Sequence, residues 1–134
     1  MSQATNPVQL LQDCLHTSAR MAPEKVALVY KQYRVTYAEL NARSNALANT
    51  LVANGVQRGD RVVIFSDNSV ETVVAFWATL KASAVASIVN PLTKADKLSY
   101  LLNDCRPTAL IADQHLYGVF ATPAKDSPHL KLVI

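Results

Sequence analysis

A chain that performs chemistry needs a phosphate cradle, a metal cluster or an activated nucleophile, and the residues for each can be sought directly. A phosphate cradle needs several glycines close together, so that backbone amides can approach the anion. Only Gly55, Gly59 and Gly118 are present, and neither G-x-G-x-x-G nor G-x-x-x-x-G-K-[ST] occurs. Nucleotide binding by these residues alone is not expected. His16, His115 and His129 share no metal-ligand spacing with one another or with Cys14 and Cys105. No paired carboxylates, Ser/His/Asp arrangement or nucleophile elbow is defensible. Asp60 and Arg61 follow Gly59 at the entry to a strand, where an aspartate typically binds turn amides. Asp67, Asn68 and Ser69, and later Asn90 and Pro91, follow apolar strands, the place where ligands collect in open α/β sheets. Helix capping accounts equally for Asn68 and Ser69, and Trp77 reads as core. The sequence therefore assigns no catalytic, cofactor-binding or metal residue.

The elements around these residues are clearer. Asn6, Pro7 and Gln9 suit a helix start, and Val8, Leu11 and Leu15 recur at helical spacing up to a stop before Pro23. KVALVY (25–30), then KQY and RVT, reads as a short hairpin with Val26, Leu28 and Val35 turned inward. Thr36 and Glu39 form a capping box for a helix whose apolar stripe is Tyr37, Leu40, Leu47, Ala48, Leu51 and Val52, closed by Gly55. RVVIF (61–65) suits a strand buried on both faces.

The same alternation then repeats. Asn68 with Glu71 caps a helix with Val70, Val73, Val74, Trp77 and Leu80 inside, followed by the buried strand VASIV (85–89). Thr93 with Asp96 caps a helix carrying Leu98, Leu101, Leu102 and Cys105, stopped by Pro107 before the strand ALIA (109–112). A short helix over 114–120, a surface loop over 121–129 and the strand LKLVI complete the chain. Strands alternating with amphipathic helices predict an α/β fold: a mostly parallel sheet with helices on its faces and right-handed crossovers, preceded by a helix and a short hairpin.

Composition narrows the class. With 134 residues, half of them hydrophobic and 17% charged, the chain has the makings of one folded domain. The net charge of +3 comes from thirteen Lys and Arg scattered between Arg20 and Lys131, without the basic face that nucleic-acid binding needs. The run 72–89 is interrupted by Lys81, Ser83 and Ser87, which argues against a membrane span. Two distant cysteines without a C-x-x-C partner argue against a disulfide scaffold or zinc, and predict buried thiols in a reducing cytoplasm. The apolar strand LKLVI, with no turn, helix or polar tail after it, leaves the sheet without its next crossover, from which the sequence is expected to be the front piece of a longer protein.

TYAEL, NGVQRGDRVVIF, DNSVETVVAFWATLKASAV, IVNP and LSYLLNDCRPTALIAD, in this order and spacing, resemble the N-terminal region of the adenylate-forming (AMP-forming) ligases. That superfamily includes acyl- and aryl-CoA synthetases, luciferase and peptide-synthetase adenylation domains. The resemblance runs from about Asn6 to Ile134 and implies that residues 1–134 are the N-terminal part of an AMP-binding domain. It implies a parent that adenylates a carboxylate with ATP and Mg, then passes the acyl group to coenzyme A or a carrier's phosphopantetheine. The family's phosphate loop, adenine and ribose contacts and catalytic lysine correspond to nothing before Ile134, so this chain is expected to hold no cofactor and to be inactive alone. Its partners would be the remainder of its domain and, through an exposed edge, a second copy. The alternative is a non-catalytic relative serving as a binding or oligomerisation module. The family usually has glycine where Ser83 stands, and often proline where Ser87 stands.

Overall fold

The computed structural model describes residues 9–134. Helix α1 spans Leu11–Met21 and is followed by the hairpin β1 (Val26–Tyr30) and β2 (Tyr33–Thr36). Helices α2 (Tyr37–Ala53), α3 (Val70–Lys81), α4 (Ala95–Cys105) and α5 (Tyr117–Lys125) alternate with strands β3 (Arg61–Phe65), β4 (Val85–Val89), β5 (Ala109–Ala112) and β6 (Leu132–Val133). The four strands form one parallel sheet in the order β4-β3-β5-β6.

The pleat of β3 divides the core. Val62 packs with Ala48 and Leu51 of α2 and Ala78 of α3. Val63 and Phe65 pack with Leu98 and Leu102 of α4 and Phe120 of α5. Both faces are thus covered, which is why β3 reads as an unbroken apolar run. A third cluster joins Leu15, Val35, Leu40, Val70 and Val74 and seats α1 and the hairpin against α2 and α3.

The helix ends explain where each element stops. At α2, both bonds of the Thr36–Glu39 capping box form, at 2.8 and 3.2 Å. At its other end Gly55 (φ +95°) closes a Schellman turn: Val56 N–H donates to Leu51 C=O and Gly55 N–H to Val52 C=O, each at 3.1 Å. α3 ends in the same motif, with Ala84 N–H on Thr79 C=O and Ser83 N–H on Leu80 C=O. Here a serine takes the left-handed position (φ 60°). Arg106 (φ 48°) ends α4 ahead of Pro107.

Several expectations need correcting. The helix start at Asn6 and Pro7, and Val8, lie outside the described residues; among those described, the Asp13 carboxylate accepts from Leu10 N–H at 2.9 Å just ahead of α1. Leu28 and Val35 turn inward as expected, but Val26 is exposed, because a register shift between Val26 and Leu28 turns Ala27 inward in its place. Val52 is 56% exposed and Ser44 takes a buried place on the α2 stripe. The N-cap of α3 is Ser69, whose Oγ accepts from Thr72 N–H at 3.2 Å, rather than Asn68. α4 starts after Lys94 without a side-chain cap, so Thr93 and Asp96 form no box. The run 121–129 is not a loop throughout: α5 carries Pro123 inside it and continues to Lys125, held by burial of Phe120 and Pro123. VASIV is an edge strand among the described residues, not one buried on both sides. Cys14 is exposed and Cys105 half-buried, so neither thiol is fully buried as expected.

Candidate functional site

Parallel strands deliver their loops to one end, and the loops after β3 and β5 meet there. The Asp113 carboxylate accepts from Asp67 N–H at 2.8 Å, and Asp113 N–H donates to Phe65 C=O at 3.2 Å. His115 Nε2 lies 3.1 Å from Asp67 Oδ2. Ser66, Ser69 and Thr72 link their hydroxyls beneath Asp67 and order the first turn of α3. Asn90, after β4, accepts from Leu92 N–H at 2.9 Å and makes a local turn.

The sequence offered Asp67, Asn68, Ser69 and His115 separately; the fold brings Asp67 and His115 together and adds Asp113. That juxtaposition depends on β3 and β5 being neighbours, which no local spacing encodes. Asp60 and Arg61 sit at the opposite end of the sheet. Asp60 accepts from Gln57 N–H at 2.8 Å, and Arg61 Nε donates to Cys105 C=O at 2.8 Å. His16 is exposed on α1, and His129 is exposed near β6.

Two concavities flank the loops. A cavity of about 330 Å³ is lined by Leu47, Ser66, Val74, Ile111 and Gln114. A groove of about 650 Å³ lies between the hairpin and α2, lined by Tyr30, Tyr33, Val35, Ala42 and Val70. Arg43 and Glu71 line both and pair across them at 3.2 Å. Backbone hydrogen bonding at the start of α3 holds the Glu71 carboxyl below its ordinary range, and Arg43 adds to this.

Lys81, which in the sequence served only to interrupt an apolar run, fastens α3 to α2. Its ammonium donates to Asn41 Oδ1, Asn45 Oδ1 and Ser44 Oγ at 2.7, 2.7 and 2.8 Å, and approaches Asn41 C=O at 3.2 Å. Burial pushes its pKa down. A lysine one helix away from polar residues on a buried stripe leaves only the oddity of Ser44 as a sequence signal.

These residues do not fit a magnesium nucleotide. Gly55 and Gly59 lie at the amino ends of the strands and Gly118 lies in α5, so no glycine stands in the loops after β3, β4 or β5. Asp67, Asp113 and His115 bring ligand atoms within 4.8 Å of one another. An imidazole beside two carboxylates suits a transition metal better than Mg²⁺. One carboxylate is already engaged by a backbone amide and the other by the imidazole.

Comparison with known proteins then places the chain. The family model described as AMP-binding enzyme matches residues 15–134. The chain belongs to the AMP-binding enzyme family. Its relatives include malpinin synthetase of Mortierella alpina, 40% identical over 75% of this chain, and surfactin synthase subunit 2 of Bacillus subtilis, 42% identical over 64%. It spans only 1% and 2% of those proteins. Among solved structures, the anthranilate CoA ligase AuaEII in complex with anthranoyl-AMP superposes with a TM-score of 0.89 at 27% identity, over all of this chain and 27% of that one. A Mycobacterium tuberculosis fatty acyl CoA synthetase superposes at 0.85 with 29% identity, over 92% of this chain and 26% of that one. Like the family's ligases, the chain has a doubly covered parallel sheet, and it matches the N-terminal part of their structures. No helix among the described residues is long and apolar enough to cross a membrane.

Proposed function

We propose that residues 1–134 form the N-terminal, supporting part of an AMP-forming acid:thiol ligase. The parent enzyme would adenylate a carboxylate with ATP and Mg and transfer the acyl group to coenzyme A or a carrier thiol in the cytoplasm. The observation that carries this reading is the family match over residues 15–134, joined to a fold that superposes on about a quarter of a CoA ligase. In that role the chain supplies no group that touches ATP. Its part is to hold the carboxyl-end loops of β3 and β5 on a packed sheet, against which the remainder of the domain would build the reaction centre.

ATP–pyrophosphate exchange tests the proposal. The isolated chain should give no exchange with a panel of fatty, aryl and amino acids. The uninterrupted gene product should exchange with at least one of them. Robust exchange by residues 1–134 alone would overturn it. The alternative, a binding or oligomerisation module without catalysis, is favoured by one feature only, the apolar outer edge of β4.

A further inference from the structure

The loops after β3 and β5 hold two carboxylates side by side with no lysine or arginine to neutralise them. Asp67 and Asp113 are joined by the 2.8 Å bond from Asp67 N–H to Asp113 Oδ2. Two carboxylates this close repel unless a cation stands beside them. Among the described residues neither pairs with a lysine or an arginine: Arg43 is taken by Glu71 and Lys81 by α2. Their one such partner is an imidazole, with His115 Nε2 at 3.1 Å from Asp67 Oδ2. Each carboxylate keeps its other oxygen, Oδ1, without a hydrogen bond from the described residues. Nitrogen and oxygen donors thus converge where a positive charge is missing.

We propose that Asp67, Asp113 and His115 form a Zn²⁺ site that ties the loop after β3 to the turn after β5. Zinc takes nitrogen and oxygen ligands about 2.0–2.2 Å away, so two ligands on its tetrahedron stand roughly 3.3–3.6 Å apart. The His115–Asp67 separation is 3.1 Å and all three ligand atoms lie within 4.8 Å of one another, so small side-chain movements close the sphere. The ion replaces the direct contact of imidazole with carboxylate, and water fills the fourth position. The surroundings aim the ligands. Asp113 N–H on Phe65 C=O at 3.2 Å and Leu116 N–H on Asp113 C=O at 3.0 Å fix the backbone around Asp113, and Asp67 N–H orients the Asp113 carboxylate. An imidazole beside two carboxylates selects zinc over Mg²⁺ and Ca²⁺, which favour shells made of oxygen. All three protein ligands belong to this chain, so the site does not depend on the parent being a ligase.

Calorimetric titration of zinc chloride into the metal-stripped 134-residue chain should show one saturable site with a dissociation constant on the order of 10 μM. Cys14 and His16, both exposed on α1, are alternative zinc donors, and the Cys14→Ser/His16→Ala variant should bind as tightly as the parent. In that background His115→Ala should weaken binding by roughly tenfold or more. Asp113→Asn, which keeps an acceptor for Asp67 N–H, should do the same. His115 is exposed, so its variant should unfold in urea as the parent does when zinc is absent. Proton–nitrogen correlation spectra of the imidazoles give a second readout: Zn²⁺ should move the Nε2 resonance of His115 and leave that of His129 in place, and an excess of Mg²⁺ should not reverse the shift. No saturable binding at roughly a hundred times the expected constant, an affinity unchanged by His115→Ala, or a resonance shift at His129 instead of His115 would each overturn the proposal.

Discussion

At the amino ends of the strands a run of backbone bonds closes the sheet, with Asp60 and Arg61 adding to them; at the carboxyl ends side chains join the few backbone bonds in holding the loops. Gly59 N–H reaches Ser83 C=O, Thr108 N–H reaches Arg61 C=O and Lys131 N–H reaches Thr108 C=O, all between 2.8 and 2.9 Å. Opposite them, Asp67 is fixed by the Asp113 carboxylate, and the turn after β4 by the Asn90 amide. Backbone closure constrains φ and ψ and leaves little latitude in residue type. Side-chain closure leaves the backbone ready to be re-aimed when a neighbour or ligand offers better partners. One fold thus carries a fixed base and an adjustable rim, the division expected where ligands gather at the carboxyl ends of parallel strands.

Substitutions at the two ends can break or sharpen that contrast. The largest effect is expected for Gly55→Val. A Cβ there meets only the Lys131 side chain, Cδ at 3.6 Å and Nζ at 3.9 Å, so the penalty comes from a β-branched residue at φ +95°, about 2 kcal/mol in urea unfolding. Asp113→Ala, at the rim, should cost about 1 kcal/mol and speed hydrogen exchange at the Asp67 amide while leaving the β3 amides protected. Ser83→Gly should stabilise by roughly 0.5–1 kcal/mol, because the left-handed position then holds the residue that suits it. A rise in urea midpoint with unchanged slope would show this; no gain would mean the serine is not strained.

The smallest effect concerns Glu71. Its folded-state pKa lies below the ordinary 4.5, so its contribution is present above that value and is lost as pH falls through the folded value. Glu71→Gln should therefore remove a few tenths of a kcal/mol at pH 7 and flatten the acid limb of the stability curve. An unchanged acid limb would assign the lowered pKa no part in stability.

The order of elements was legible because local chemistry writes it down. The Thr36–Glu39 box, Gly55 and the run RVVIF each name their own structure. Ser83 could not announce a left-handed turn, since serine rarely adopts one, although the family's glycine at that place pointed to it. VASIV could not announce an edge: an apolar run states that a strand is covered on its faces and says nothing about which strands lie beside it. Pro123 marked a loop that packing of Phe120 overrides. The Asp67–Asp113–His115 grouping was invisible because it is made by strand order. Of the site, only the absence of a glycine-rich loop could be read directly from the sequence.

The strand order has a temporal side. β3 sits between β4 and β5, yet both neighbours follow it in the chain, and the second arrives only after α3, β4 and α4 have been made. While the polypeptide emerges from the ribosome, Val62–Phe65 therefore waits with one flank unzipped until Ala109–Ala112 is available to close it. A nascent chain paused in that interval is the species a chaperone would be expected to grasp.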